Sequence, residues 1–301
     1  MAIRGPVAWL RRLRRSNIPA QDNLQNRHLQ DAFALADQCI AALDDAASRA
    51  QFLDRLITAF VVRDHDRVFW GDRLLSLGKS MGFLDDPRFA AAYQQIRGSH
   101  QYDQYDSPHT VAWRLHTLVW AAQNGLALDG DFVECGVFKG DFAWVVTELT
   151  DFARQPKVFY LYDTFAGFAP AYSSAADYPE APGFFDFANQ VYNDPAIYAE
   201  VVRKFADCAN VRIVRGVVPD SLAQAAPARI AFMHIDLNSP AAEIGALEIL
   251  FDRVVAGGII VFDDYGWHLF RKQKEAEDAF MAARGYRIFE LPTGQGLVVK
   301  R

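Results

Sequence analysis

Asp131-Phe-Val-Glu-Cys-Gly-Val-Phe-Lys-Gly-Asp141 is a short apolar run that ends in an acid and two glycines four positions apart. Phe132 and Val133 have strand character, and Gly136 and Gly140 supply the freedom that a tight strand-to-helix turn needs. Glu134 falls where the strand runs out, beside the place a ligand would be held. Glycine spacing alone does not separate a nucleotide-binding turn from a structural one. The chain beyond it adds weight, because four more strand-like runs follow and all four end in aspartate or glycine.

Working outward, Thr110–Asn124 reads as a helix, Asp131–Gly136 as a first strand and Ala143–Phe152 as a second helix. Further strands are expected at Val158–Asp163, Val211–Gly216, Ile230–Asp236 and Gly258–Asp263, with helices at Ala241–Val254 and Arg271–Arg284. Tyr286–Leu291 and Gly296–Lys300 flank Pro-Thr-Gly and read as a hairpin. Such alternation predicts an α/β fold: a mostly parallel sheet covered by helices on both faces, closed by a C-terminal antiparallel hairpin. The segment Phe165–Asn210 is long and aromatic, carrying Phe168, Tyr172, Tyr178, Phe184, Phe185, Phe187, Tyr192 and Tyr198. It is either a lid over a bound molecule or a connection packed on the sheet.

Leu29 to about Arg97 has a helical pattern, with Leu53, Leu56, Ile57, Phe60 and Val61 on one face and Gly71, Gly78, Gly82 and Pro87 as punctuation. The polar, turn-rich stretch 98–108 marks the join, giving a helical N-terminal region at 1–105 and a main domain at 106–301. His65, His100 and His109 lie in or near these segments and read as surface or capping residues.

The 301 residues are 51% hydrophobic and 23% charged, enough to bury a large core in one or two domains. A formal charge of −6 argues against a nucleic-acid-binding surface. Cys39, Cys135 and Cys208 lack metal-ligand spacing and read as reduced thiols of a cytoplasmic protein. No apolar stretch reaches the roughly 18–20 residues of a membrane span. Arg4, Arg11, Arg12, Arg14 and Arg15 precede the first acid, Asp22, and make a basic arm. It is disordered or loosely helical, a weak contact for an anionic membrane surface or a partner, or an import presequence.

In sheets of this kind ligands bind beyond the carboxyl ends of the strands, where strand order reverses. Glu134 with Gly136, Asp163, Gly216, Asp236 and the pair Asp263–Asp264 therefore carry the weight. Asp163 is placed to accept hydrogen bonds from ribose hydroxyls, or else to cap a helix. Asp236, Asp263 and Asp264 end neighbouring strands, and three converging carboxylates need protons or a cation between them. Mg²⁺ would meet that need with oxygen ligands; caps or salt bridges with His234 or Lys272 are the structural alternative. His234 itself reads as a buried structural histidine.

Five segments together resemble the macrocin-type sugar O-methyltransferases: Val-Glu-Cys-Gly-Val at 133–137, Asp-Thr-Phe-Ala-Gly at 163–167, Arg-Gly-Val-Val-Pro-Asp-Ser-Leu at 215–222, Ile-Asp-Leu-Asn at 235–238 and Gly-Gly-Ile-Ile-Val-Phe-Asp-Asp-Tyr-Gly at 257–266. The resemblance covers about Thr110 to Arg301 and implies a Rossmann-like class I fold with a seven-stranded sheet. It implies S-adenosylmethionine (SAM) as methyl donor, its methionine part wrapped by Glu134, Gly136, Val137, Phe138 and Gly140. Asp163 would hold the ribose with Thr164 and Phe165 beside it, and Gly216 would border the adenine. It further implies Mg²⁺ on Asp236, Asp263 and Asp264, with Asp236 as general base, and a sugar or glycosylated acceptor. At 236–238 the family's Asp-Gly-Asp pattern reads Asp-Leu-Asn, so an amide replaces an acid.

Two other readings stay open on the sequence. A nicotinamide-dependent oxidoreductase would use the same turn, although Gly136-Val-Phe-Lys-Gly140 is not Gly-x-Gly-x-x-Gly. A SAM-binding fold without catalysis would serve as an interaction partner. A homo-oligomer is compatible with either.

Overall fold

The computed structural model describes residues 68–72, 74–77, 79–97, 110–181 and 183–301. They belong almost wholly to one compact unit, Phe69–Leu75 with Met81–Arg301; the other, Met1–Val68 with Ser76–Ser80, lies nearly all outside the described residues. So do the basic arm, the face through Leu53–Val61, the join at 98–108, and His65, His100 and His109.

The helical reading up to Arg97 needs correction at its end. Val68–Gly71 (β1) and Leu74–Leu77 (β2) form a two-stranded ribbon, and the first α-helix among the described residues is Pro87–Arg97 (α1). The strands are four residues each, too short to show an alternating pattern, and Asp72 makes the turn with φ 52°. Pro87 opens α1, where its fixed φ suits the first turn and its missing N–H costs nothing.

The main sheet follows the sequence reading. After α2 (Ala112–Leu126) come β3 (Asp131–Cys135), α3 (Asp141–Leu149), β4 (Phe159–Asp163), α4 (Phe184–Tyr192), α5 (Ala196–Lys204) and β5 (Val211–Arg215). The second half is α6 (Leu222–Ala225), β6 (Ile230–Ile235), α7 (Pro240–Leu250), β7 (Val254–Phe262), α8 (Arg271–Ala282), β8 (Phe289–Glu290) and β9 (Gly296–Val299). Strand order is β5-β4-β3-β6-β7-β9-β8; β9 runs antiparallel to β7, and β8 to β9. The expected hairpin is therefore present. β7 starts four residues earlier than Gly258, because a 3-10 turn at Phe251–Arg253 ends α7 and frees Val254 to pair with Ile230.

Period-two alternation sorts the strand residues into two layers. Phe132, Phe159, Leu161, Phe232, Ile259 and Val261 join the core under α2 and α3. Val133, Cys135, Met233, Ile235, Ile260 and Phe262 join the core on the other face, with Ala246, Leu247 and Leu250 of α7. All six residues of β6 are buried, as a central strand covered on both faces must be. The chain leaves β3 toward β4 and β5, then returns to β6 on β3's other side. That reversal makes the carboxyl ends of β3 and β6 the place for a site.

Candidate functional site

Backbone hydrogen bonds knit the strand ends together. Asp236 N–H donates to the Cys135 carbonyl (2.8 Å), Asp263 N–H to the Ile235 carbonyl (2.8 Å) and Gly136 N–H to the Tyr162 carbonyl (2.9 Å). Gly136 has φ +89°, and a Cβ there would lie 1.8 Å from the Asp236 carbonyl oxygen, so only glycine fits between the two strand ends. A cavity of about 560 Å³ opens above them, within the range of small-molecule sites.

Glu134, Gly136, Val137, Phe138, Asp163, Thr164, Phe165, Asp236, Asp263 and Asp264 all line this cavity. Gly140 and Gly216 are not among its lining residues. Gly140, with φ +71°, is the N-cap of α3 and lies where a Cβ would meet the Phe205 ring at 2.9 Å. Gly216 donates its N–H to the Asp163 carbonyl (2.9 Å), and its neighbours Val217 and Val218 reach the cavity instead.

Asp163 organises the turn. Its Oδ2 accepts from the N–H groups of Val137 (2.7 Å) and Phe138 (2.8 Å), and its Oδ1 from Phe165 N–H (2.6 Å). Oδ1 keeps acceptor capacity, since a carboxylate oxygen takes two bonds.

Glu134 and His234 sit side by side on β3 and β6, both buried. Glu134 Oε1 pairs with His234 Nδ1 at 2.7 Å, while Oε2 is buried with no protein partner. Burial raises the Glu134 carboxyl above its ordinary value, against the pull of His234. For His234, burial works downward, but the carboxylates of Asp263 and Glu134 outweigh it and bring the imidazole up to about 10. His234 Nε2 lies 3.9 Å from Asp263 Oδ1, an ion-pair distance too long for a hydrogen bond.

The three aspartates are not equivalent. Arg114, from α2, donates through Nη1 to Asp263 Oδ2 (2.7 Å) and to Asp264 Oδ1 (2.8 Å). Its Nε and Nη2 grip Asp72 in the β1–β2 turn, Nη2 at 3.0 Å from Oδ1. Trp267 lies alongside, with its ring centroid 5.1 Å from the guanidinium carbon. Burial opposes ionisation of Asp263, but Arg114, His234 and Gln295 hold its carboxyl far below the usual range. Burial and the charges of Asp263 and Asp264 push Asp236 well above it. Asp236 Oδ1 accepts from Asn238 Nδ2 (3.3 Å), and Asn238 Oδ1 is buried without a protein partner. Among the described residues, the acid and histidine ligand atoms that converge, within 4.8 Å of one another, are those of His234, Asp236 and Asp263; Asp264 is drawn off toward Arg114.

A second carboxyl pair braces the site from behind. Glu243 of α7 accepts Leu237 N–H (3.1 Å), while Gln273 of α8 donates to both the Asp263 carbonyl (3.0 Å) and Glu277 Oε1 (3.2 Å). Glu243 and Glu277 are fully buried, and neither Oε2 has a donor among other groups. Burial raises both carboxyls; Glu277 adds to the rise of Glu243, which moves far up, while hydrogen bonding with Glu243 and Gln273 holds Glu277 to about 7.

Phe168, Tyr178, Phe184, Phe185 and Phe270 stack into an aromatic wall, and the Tyr178 hydroxyl donates to the Asn238 carbonyl. Ser239 Oγ donates to the Tyr172 carbonyl (2.7 Å). The long aromatic segment is thus packed against the Asn238–Ser239 turn, with Phe187 on it more than half exposed. Arg114, Glu243 and Glu277 were not candidates on sequence; one arginine and two acids in helices carry no signal that separates them from a solvated face.

A reversed strand order with an antiparallel closing hairpin, and a cavity floored by a glycine turn and strand-end acids, define a class I SAM-dependent methyltransferase. The family model of macrocin-O-methyltransferases (TylF) matches residues 112–288, and the chain belongs to that family. Among solved structures, the O-methyltransferase NovP is 22% identical, with a TM-score of 0.50 over 62% of this chain and 79% of that one. CalS11, a calicheamicin methyltransferase, is 17% identical, with a TM-score of 0.54 over 74% and 94%. At such identities the likeness is one of fold. No curated protein sequence matches the chain. Among the described residues no helix is long and apolar enough to cross a membrane.

Proposed function

We propose that the protein methylates a hydroxyl of a sugar or glycosylated small molecule, with Asp236 as the general base. The observation that carries this reading is the placement of Asp236: a carboxylate with raised proton affinity lines the cavity at the β3/β6 reversal, between the glycine turn and the acids bound by Arg114. The macrocin-O-methyltransferase family supports the acceptor class, and NovP and CalS11 are methyltransferases of the same fold.

The cofactor-binding residues fit SAM. Glu134 Oε2, buried and without a partner, suits the ammonium of the methionine part, and the turn at Val137–Phe138 would flank it. Asp163 Oδ1 would accept one ribose hydroxyl while Oδ2 holds the turn, with Thr164 and Phe165 alongside. Gly136 keeps the two strand ends close, whereas Gly140 and Gly216 act through turn geometry. When bound, SAM supplies an electrophilic methyl on a sulfonium.

The chain's own residues do the rest. Asp236 would take the hydroxyl proton as the acceptor oxygen attacks the methyl that SAM would supply, the C–S electron pair leaving on sulfur. A positive sulfonium nearby favours the ionised Asp236 needed for that step. Asn238 holds Asp236 through Nδ2 and offers Oδ1 to a second hydroxyl of the acceptor. Alignment of the oxygen with the methyl supplies several kcal/mol of the barrier.

Mg²⁺ is not part of this mechanism, because the residues do not fit it. A magnesium ion demands near-octahedral oxygen ligands, yet Asp263 is committed to Arg114 and Gln295, Asp264 to Arg114, and the third converging group is an imidazole. The reading is tested by titrating S-adenosylhomocysteine, then assaying labelled SAM against nucleotide sugars and glycosides. Asp236→Asn should bind the ligand normally and lose turnover. Turnover intact in that variant, or tight NAD⁺ binding with none for S-adenosylhomocysteine, would sink it.

A further inference from the structure

We propose that Arg114 is the resident cation of the acid cluster, standing where a divalent ion would otherwise be held. The inference rests on the methyltransferase reading only for the site's purpose; its geometry stands apart from it. Four carboxylates surround one point: Asp72 from the ribbon turn, Asp263 and Asp264 from the end of β7, and Asp236 from the end of β6. Arg114 binds three of them, with side-chain exposures of 10% for the arginine and 11%, 3% and 15% for Asp72, Asp263 and Asp264. Buried acids in such number persist only when a counter-charge shares their burial.

The guanidinium does that work in full. All three of its nitrogens are engaged, and its planar fork reaches acids on both sides at once. Trp267 covers the group from the side. Both Asp263 oxygens are already engaged, Oδ1 by Gln295 Nε2 (3.0 Å) and Oδ2 by Arg114 Nη1 (2.7 Å). Asn238, beside Asp236, is neutral and donates to it, so the remaining carboxylate is hydrogen-bonded as well. A divalent ion entering here would meet a fixed positive charge and would compete with these pairs for the carboxylate oxygens.

This assignment separates two duties. Arg114 fixes the charge and position of Asp263 and Asp264, and of the four carboxylates Asp236 is the one that Arg114 does not bind. Arg114 is thus a positioning residue, acting through the aspartates rather than on the methyl.

The test uses the full chain, dialysed against chelator. Metal content is measured, and MgCl₂, MnCl₂ and ZnCl₂ are titrated by calorimetry, with S-adenosylhomocysteine titrated separately with and without EDTA. The expected results are substoichiometric metal, no saturable Mg²⁺ or Mn²⁺ heat, and an S-adenosylhomocysteine affinity that chelator changes by less than about twofold. Arg114→Met should tighten Mn²⁺ binding by about tenfold or more, because it leaves the aspartates without their cation. If that variant fails to fold, the wild-type titrations decide alone. Stoichiometric binding of any of the three ions to the wild type overturns the proposal, as does a tenfold loss of S-adenosylhomocysteine affinity in EDTA. Absence of S-adenosylhomocysteine binding under all conditions would fail the methyltransferase reading, while the metal titrations would still judge Arg114.

Discussion

Glu277→Gln should remove a pH dependence of stability that the wild type carries between about pH 5 and pH 8. In the fold, burial raises Glu277 from 4.5 to about 7, and its buried partner Glu243 moves in the same direction. The native state therefore binds a proton that the unfolded chain has released. Stability from this group is fully present below about 4.5, falls as pH rises toward 7, and is flat above that. A shift of that size corresponds to on the order of 3 kcal/mol, at about 1.4 kcal/mol per pH unit. Glutamine keeps the shape and removes the Glu277 titration, while Glu243, still buried, keeps its own raised value, so the variant should lose only the Glu277 share of the slope. Urea denaturation at several pH values, taken as the difference between wild type and variant, isolates this group from the other acids. Parallel curves, within about 0.5 kcal/mol of each other across the window, would refute the raised Glu277 carboxyl.

Gly136→Ala should cost at least about 3 kcal/mol and abolish S-adenosylhomocysteine binding, since its Cβ would overlap the Asp236 carbonyl at a φ of +89°; thermal melts and calorimetry check both. Asp163→Asn would turn an amide group against backbone N–H donors of Val137, Phe138 or Phe165, at about 1–3 kcal/mol per orphaned donor. Its S-adenosylhomocysteine affinity, read by calorimetry, should fall about tenfold or more. Phe132→Ala, in a ring cluster with Phe152, Phe159 and Phe232 at centroid distances of 5.1, 5.8 and 5.2 Å, should lose about 3–5 kcal/mol in denaturant titration. Phe132 does not line the cavity, so that loss should leave ligand affinity in the folded fraction unchanged.

The main sheet was legible because its strands are apolar runs that end abruptly in glycine or aspartate. The same abruptness pointed to Glu134, Asp163, Asp236, Asp263 and Asp264 as cavity residues. What each acid touches was not legible. Asp163 spends most of its capacity on backbone N–H groups that lie 25 and 26 positions earlier, a geometry set by how β3 and β4 align. Arg114 was hidden because its partners are far away in sequence, and Glu243 and Glu277 because only the packing of α7 on α8 puts both in the interior. The β1–β2 ribbon was missed for a local reason, since two four-residue strands carry too little periodicity to oppose a helical context.

The Arg114 junction has a consequence for how the protein reaches its working form. Asp72, Arg114 and Asp263 meet across separations of 42 and 149 positions, so no local segment can neutralise the cluster by itself. Until β7 has joined the sheet, Asp72 is the arginine's one acid partner of the three, and until α2 docks, Asp263 and Asp264 lie side by side without a guanidinium between them. Charge balance at this end of the sheet therefore depends on three segments distant in sequence coming together. Without Asp263 and Asp264, the guanidinium would keep Asp72 alone, one acid in place of three.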